Sequence, residues 1–178
     1  DRSSAASDVY KRQIQGCSRV VAIPVENGSD GLLLLLNENI PDYFDVYFNG
    51  WDRTNSISLS GVGIHHPGGD VKKISTYGNH LPSSATWLNS DSNKEGAQNA
   101  HWNIIFDETS NGHSVTEGGS SGSPIFNQNK LIIGTLSGGN STCDNPEGIN
   151  LYGKLFYHWD KYSQADTGRM DKWLDPIG

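Results

Sequence analysis

Short apolar runs separated by turn-forming residues dominate the chain from Arg19 onward. The runs "RVVAIPV" (19–25) and "GLLLLL" (31–36) flank the turn "ENGSD", and the second is uniformly apolar, as in a strand buried on both faces. Further runs bounded by Gly, Asn, Asp or Pro predict strands at 43–51, 56–65, 71–76, 101–106, 124–126, 130–137 and 151–158. This pattern predicts an all-β barrel or sandwich of antiparallel strands.

Both ends of the chain depart from this pattern. Residues 1–13 show neither a period of two nor one of about 3.6, and we interpret them as an extraneous leader. Near the other end, Asp166 or Thr167 would cap a short helix over 168–174 that Pro176 ends. The helix is expected to dock on the barrel.

Composition narrows the class of partner. The chain has 178 residues, including 21 Gly and 7 Pro, which suits short strands joined by many turns. Its net charge of −7 argues against nucleic-acid and acidic-membrane partners, because both require a basic face. The sequence contains no CxxC pair and no Cys/His cluster at metal spacing, so no metal site is expected.

The stretch "TEGGSSGSPIF" (116–126) is a candidate nucleophile loop. A serine hydroxyl is a weak nucleophile at neutral pH, so an enzyme must supply a base and hydrogen-bond donors for the oxyanion. Gly119 would let its own amide and that of Ser121 point at one oxygen, and Gly122 would clear the approach to Ser121. Taken alone, the string also fits an exposed turn without chemistry.

Asp30 is the candidate carboxylate. It stands where the turn in "NGSDGLLLLLN" (27–37) enters an apolar strand, the position expected for a buried aspartate that orients a catalytic imidazole. By itself the residue would be read as a turn cap. With a candidate serine loop 91 positions later, we interpret it as catalytic.

The segment Gly-Ser-Ser-Gly-Ser-Pro at 119–124 resembles the nucleophile loop of chymotrypsin-like serine proteases. Five further blocks extend the match to the lysyl endopeptidase branch, the secreted bacterial Achromobacter-type proteases: "NGWDR" (49–53), "IHHPGGDVKKIS" (64–75), "LSGGNSTC" (136–143), "YGKLF" (152–156) and "KWLDP" (172–176). The resemblance implies a double β-barrel without metal or organic cofactor. It assigns the nucleophile to Ser121, the orienting aspartate to Asp30 and the oxyanion amides to Gly119 and Ser121.

The histidine of such a triad is missing from its expected place. The resemblance puts the general base before the aspartate, yet all six histidines, at 65, 66, 80, 101, 113 and 158, follow Asp30. His65 and His66 belong to a family block outside the triad, and nothing in the sequence positions His113 against Asp30. We therefore expect a truncated chain, inert alone, with 14–40 as the remnant of the first barrel and 41–178 as the second barrel with its C-terminal helix.

The resemblance also locates a substrate pocket. Ser137 and Gly138 would form one wall, and Trp87 matches an aromatic residue beside it. In lysyl endopeptidases a carboxylate two residues before the Tyr-Gly pair meets the substrate lysine, but this chain has Asn150 there. An amide cannot neutralise an ammonium, so a strong lysine preference is in doubt unless Asp144 or Glu147 enters the pocket.

These residues predict a secreted or cell-surface serine endopeptidase, monomeric, that acts on peptides or proteins through an acyl-enzyme on Ser121. The alternative is a catalytically dead pseudoprotease that binds a peptide along a strand edge. Cys143 matches a family cysteine that bonds to the far N-terminus, whereas Cys17 has no counterpart. A Cys17–Cys143 disulfide and two separate half-cystines both remain open.

Overall fold

A computed structural model describes residues 13–88 and 95–177. The predicted leader, apart from its last residue, lies outside the described residues. The described strands are β1 (Cys17–Ile23), β2 (Gly31–Leu36), β3 (Gly61–His65), β4 (Lys73–Tyr77), β5 (Ser83–Ala85), β6 (His101–Ile104), β7 (Glu108–Thr109), β8 (Gly112–His113), β9 (Pro124–Asn127), β10 (Ile132–Gly139) and β11 (Asn150–Lys154).

β1 and β2 form a separate antiparallel sheet of two strands, with Ile23 opposite Gly31. Its inner face buries Val21 and Ile23. The prediction that 31–36 is buried on both faces is wrong: Leu32 is 57% and Leu35 is 56% exposed. Leu32, Leu34 and Leu36 lie on the outer face of the sheet, which the described chain leaves exposed to solvent. Leu35 lies on the inner face with Leu33, but near the end of the strand, where it is also left uncovered.

The predicted strand at 43–51 does not form. A 3₁₀ helix, Asp42–Phe44, occupies its beginning, and Asp45 then adopts a left-handed conformation (φ 48°) that no regular strand accommodates. Trp51 makes only an isolated bridge to Ile132. The aromatic content of the run raised its apparent strand propensity, but Tyr47 is 87% exposed.

Seven strands form the main antiparallel sheet, in the order β4-β3-β9-β10-β11-β6-β5. The sheet curls until its two ends meet. Just beyond β6, near one end, the Asp107 N–H donates to the Thr76 carbonyl of β4, the strand at the other end, at 2.7 Å. Its core is apolar and aromatic: Tyr77, Trp102, Ile104, Phe106, Ile125, Ile133, Leu136 and Tyr152. The all-β prediction is confirmed.

Within the described residues, α-helices appear only after β11. The predicted strand at 151–158 ends at Lys154 and continues as α1 (Leu155–Asp160), which the sequence analysis missed. The predicted C-terminal helix is shorter than expected, with a 3₁₀ turn at Asp166–Gly168 and α2 (Asp171–Leu174). No described helix is long and apolar enough to cross a membrane.

Two buried histidines lie where the β1–β2 sheet meets the main sheet. His158 of α1 donates from Nε2 to the Ser29 carbonyl at 3.1 Å, and its ring lies directly against Gly31 and Gly153. Burial lowers the pKa of His158 to about 4. Burial, then His158 and Lys154, lower that of His101 to about 4 as well.

We expect the protein to lose stability on acidification. Between pH 6.5 and pH 4 the two histidines are protonated in the unfolded state but neutral in the folded state. The free energy of unfolding therefore falls by roughly 3 kcal/mol per histidine over that window. His158→Gln keeps a donor for Ser29 without the titration and should lose less stability. Urea unfolding at pH 7 and pH 4.5, with the exposed His80→Gln as control, measures this; equal losses in both variants would contradict it.

Candidate active site

The serine loop, residues 116–123, connects β8 to β9. It is fixed to β10 by two backbone bonds, from Gly122 N–H to Leu136 O at 2.8 Å and from Leu136 N–H to Ser123 O at 2.9 Å. Gly119 and Gly122 have φ of +100° and +77°, a region that favours glycine. The glycines therefore allow the sharp turn that the sequence predicted.

Ser120 and Ser121 lie on opposite sides of this loop. Ser121 is exposed, whereas Ser120 is 1% exposed and its Oγ bonds to His65 Nδ1 at 2.9 Å. The other ring nitrogen of His65 bonds to Ser75 Oγ at 2.7 Å. His65 is thus engaged through both nitrogens with residues other than Ser121, and the structure does not bring it forward as a base for that serine.

The amides of Gly119 and Ser121 are oriented by the carbonyls of their own peptide groups. Gly118 O accepts from Gly68 N–H at 2.9 Å, and Ser120 O accepts from Ser123 N–H at 3.0 Å. In a trans peptide the N–H points opposite to the C=O, so both amides face away from these partners. Within the described chain neither amide donates a hydrogen bond, which leaves both open to an external acceptor.

Ser121 borders a cleft of about 360 Å³, here called the specificity cleft. Its lining residues are Thr116, Glu117, Gly118, Ser121, Leu136, Gly138, Gly139, Ser141 and Thr142. Gly138 lies where the sequence predicted it. Asp144 and Glu147 are exposed and line neither this cleft nor the groove described below.

Asn150 is not itself a lining residue of the specificity cleft, but it is hydrogen-bonded to two of them, Thr116 and Ser141. It is fully buried, and its Oδ1 accepts from Thr116 Oγ1 at 2.5 Å and from Ser141 Oγ at 2.6 Å. Its Nδ2 donates to the carbonyls of Ile104 and Gly148 at 3.1 and 3.3 Å. Since both hydroxyls turn their protons toward Asn150, the floor presents uncharged acceptor oxygens to the cleft.

On its other side Ser121 borders a groove of about 380 Å³, the aspartate groove, shared with Asp30 and Ser137. The expectation that Asp30 is buried is wrong: its side chain is exposed, and its backbone is left-handed (φ 60°). The exposed leucines of β2 line the same groove, so this side of the site is open to solvent. Ser137 Oγ bonds to the buried His101 Nε2 at 3.2 Å.

The structure does not bring the remaining candidates to Ser121. Trp87 lines neither the specificity cleft nor the aspartate groove, and no histidine lines either. Cys17 and Cys143 are exposed free thiols, so no disulfide joins them. The sequence analysis missed Ser141 and the bond between Ser120 and His65. Ser141 carried no sequence signal, while a histidine at the end of the predicted strand 56–65 was an available one.

A family model described as lysyl endopeptidase, C-terminal domain, matches residues 2–153. The chain belongs to this family. The matched residues include Asp30, the serine loop and Asn150, and therefore every residue that the sequence analysis assigned to the site.

Two crystal structures of the Rv3671c protease from M. tuberculosis are similar to this chain. The active form matches at 14% identity and a TM-score of 0.51, over 79% of this chain and 55% of that chain. An inactive form matches at 13% identity and a TM-score of 0.48, over 79% and 62%. The domain spans less than two thirds of these structures. At such low identity, the likeness to the active form supports the fold, a chymotrypsin-like protease fold.

Proposed function

We propose that this domain carries the nucleophile of a secreted serine endopeptidase that cleaves peptide bonds through an acyl-enzyme on Ser121. One observation carries the proposal: the Ser121 side chain is exposed between two clefts, and the nearby backbone N–H groups of Gly119 and Ser121 donate to no acceptor in the described chain. Amides so placed are suited to stabilising the oxyanion of a tetrahedral intermediate.

In the proposed mechanism Ser121 Oγ attacks the carbonyl carbon of the substrate while a histidine accepts its proton. Asp30, across the aspartate groove, orients that histidine, and the imidazolium then protonates the leaving amine. Water next attacks the acyl-enzyme and restores Ser121. Because no histidine lines the two clefts, the proposal takes the base from the remainder of the full-length protein, with 14–40 completing its first barrel.

We infer that substrate selection differs from a strict lysine preference. Thr116 and Ser141 line the cleft and donate to the uncharged Asn150 behind them, so this hydrogen-bonded group carries no charge. The Glu117 carboxylate also borders the cleft, with Oε2 close to Gly68. A side chain with a neutral donor, such as a glutamine amide, satisfies this floor without burying an unpaired ammonium.

A peptide library tests both proposals on the full-length protein. We expect hydrolysis in which glutamine before the cut is cleaved within about tenfold of lysine, since the side chains hydrogen-bonded behind the cleft, Thr116, Ser141 and Asn150, are all uncharged. Cleavage after lysine about a hundredfold faster than after glutamine would contradict the inferred selection. Binding of the peptides without hydrolysis would contradict the endopeptidase and favour the peptide-binding module.

A further inference from the structure

His65 is held in place by two side-chain hydrogen bonds as well as by packing. Its ring is 2% exposed, stacks on Phe106 with a centroid separation of 6.3 Å, and bonds through both nitrogens to hydroxyls that are themselves buried, those of Ser75 and Ser120. Burial, and secondarily His66, lower the pKa of His65. In the neutral ring one nitrogen donates and the other accepts, so the chain from Ser75 to Ser120 is directional.

The segment that begins at His65 supports the serine loop at three consecutive residues. Gly68 N–H donates to Gly118 O at 2.9 Å, and His65 bonds to Ser120. Between them, Gly119 lies so close to the His66 carbonyl that a Cβ there would stand 3.0 Å from that oxygen. The free N–H of Gly119 belongs to the peptide group that Gly118 begins, and that of Ser121 to the peptide group that Ser120 begins. The segment therefore holds both peptide groups that carry a free amide.

We propose that His65 is a positioning residue: by anchoring Ser120 it holds the amides of Gly119 and Ser121 in the orientation that binds an oxyanion. The proposal rests on the proposed function, in which Ser121 is the nucleophile. Oxyanion donors act only within about 0.5 Å of their productive position, so loosening the loop lowers the rate of reaction even when the fold survives.

The first test measures amide hydrogen exchange in the present chain. Ser120→Ala deletes the hydroxyl that His65 holds, and His65→Phe keeps a ring to stack on Phe106. Both are expected to speed exchange of the Gly68 and Ser123 amides by about tenfold, because these N–H groups bond to the two carbonyls that orient the loop. His80→Phe, at an exposed histidine outside this segment, is the control and should leave both rates unchanged. Unaltered exchange in both variants would overturn the proposal.

The second test measures hydrolysis by the full-length protein. His65→Phe and Ser120→Ala should each lower kcat by about 30-fold with KM within about threefold, and the double variant should be no slower than either. His65→Gln, which can hydrogen-bond both serines, should recover part of the rate. Additive losses, or an unchanged kcat, would overturn the proposal. Ser121→Ala separates the two proposals: if it retains activity the proposed function fails, whereas if only Ser121→Ala loses activity the positioning role alone fails.

Discussion

Replacing Asn150 with aspartate is expected to destabilise the fold by about 3–5 kcal/mol at pH 7. The carboxylate would keep the bonds from Thr116 and Ser141, but its second oxygen would face the carbonyls of Ile104 and Gly148, to which the amide now donates. A buried charge is then opposed by two acceptors, and their lost donor adds a desolvation cost. The surroundings of Asn150 therefore satisfy an amide and leave a carboxylate without donors for its second oxygen.

Urea unfolding followed by tryptophan fluorescence measures this effect. Asn111→Asp makes the same change on an exposed loop and should alter the free energy of unfolding by less than about 0.5 kcal/mol. The deficit of the Asn150 variant relative to the unchanged protein should shrink at acidic pH, because the strained carboxyl is then protonated. A variant within about 1 kcal/mol of the unchanged protein at pH 7 would show that Asn150 is not constrained as described.

The sequence predicted strands well where a single apolar run paired within the main sheet. β3, β9, β10 and β11 all lie within or beside their predicted runs. It failed at 43–51, where aromatic residues form an exposed, irregular segment, and at 155–160, where the chain turns helical directly after β11. Both outcomes depend on tertiary packing, which alternation of apolar and polar residues does not encode.

Some residues of the candidate site could likewise be predicted from the sequence, and others could not. Ser121 and Gly138 line the specificity cleft together because the serine loop and β10 bond directly at Leu136. Ser137, predicted for the same wall as Gly138, lines the aspartate groove instead. Asp30 reaches the same groove, but its exposure could not be read from the turn that contains it. The roles of Ser120 and Ser141 depend on which way each hydroxyl faces, and sequence spacing does not determine that.

Replacing Ser121 with alanine is expected to lower hydrolysis by the full-length protein by roughly 10⁶-fold in kcat, because the acyl-enzyme loses its only attachment point. Ser120→Ala should lose far less, since that hydroxyl is buried against His65 and does not face the substrate. Initial rates on a peptide ester, with thermal unfolding to show that each variant is folded, provide the measurement. Equal losses at the two serines would contradict their division of roles.

The most direct test of the central claim is a fluorophosphonate probe, which phosphonylates an activated serine. On the full-length protein we expect one adduct, and fragmentation of the labelled peptide should place it on Ser121 rather than on Ser120 or Ser123. The 178-residue chain, which has no histidine ahead of Asp30, should label far more slowly. An adduct on another serine of the loop, or none in a folded full-length protein, would contradict the assignment of Ser121 as the nucleophile.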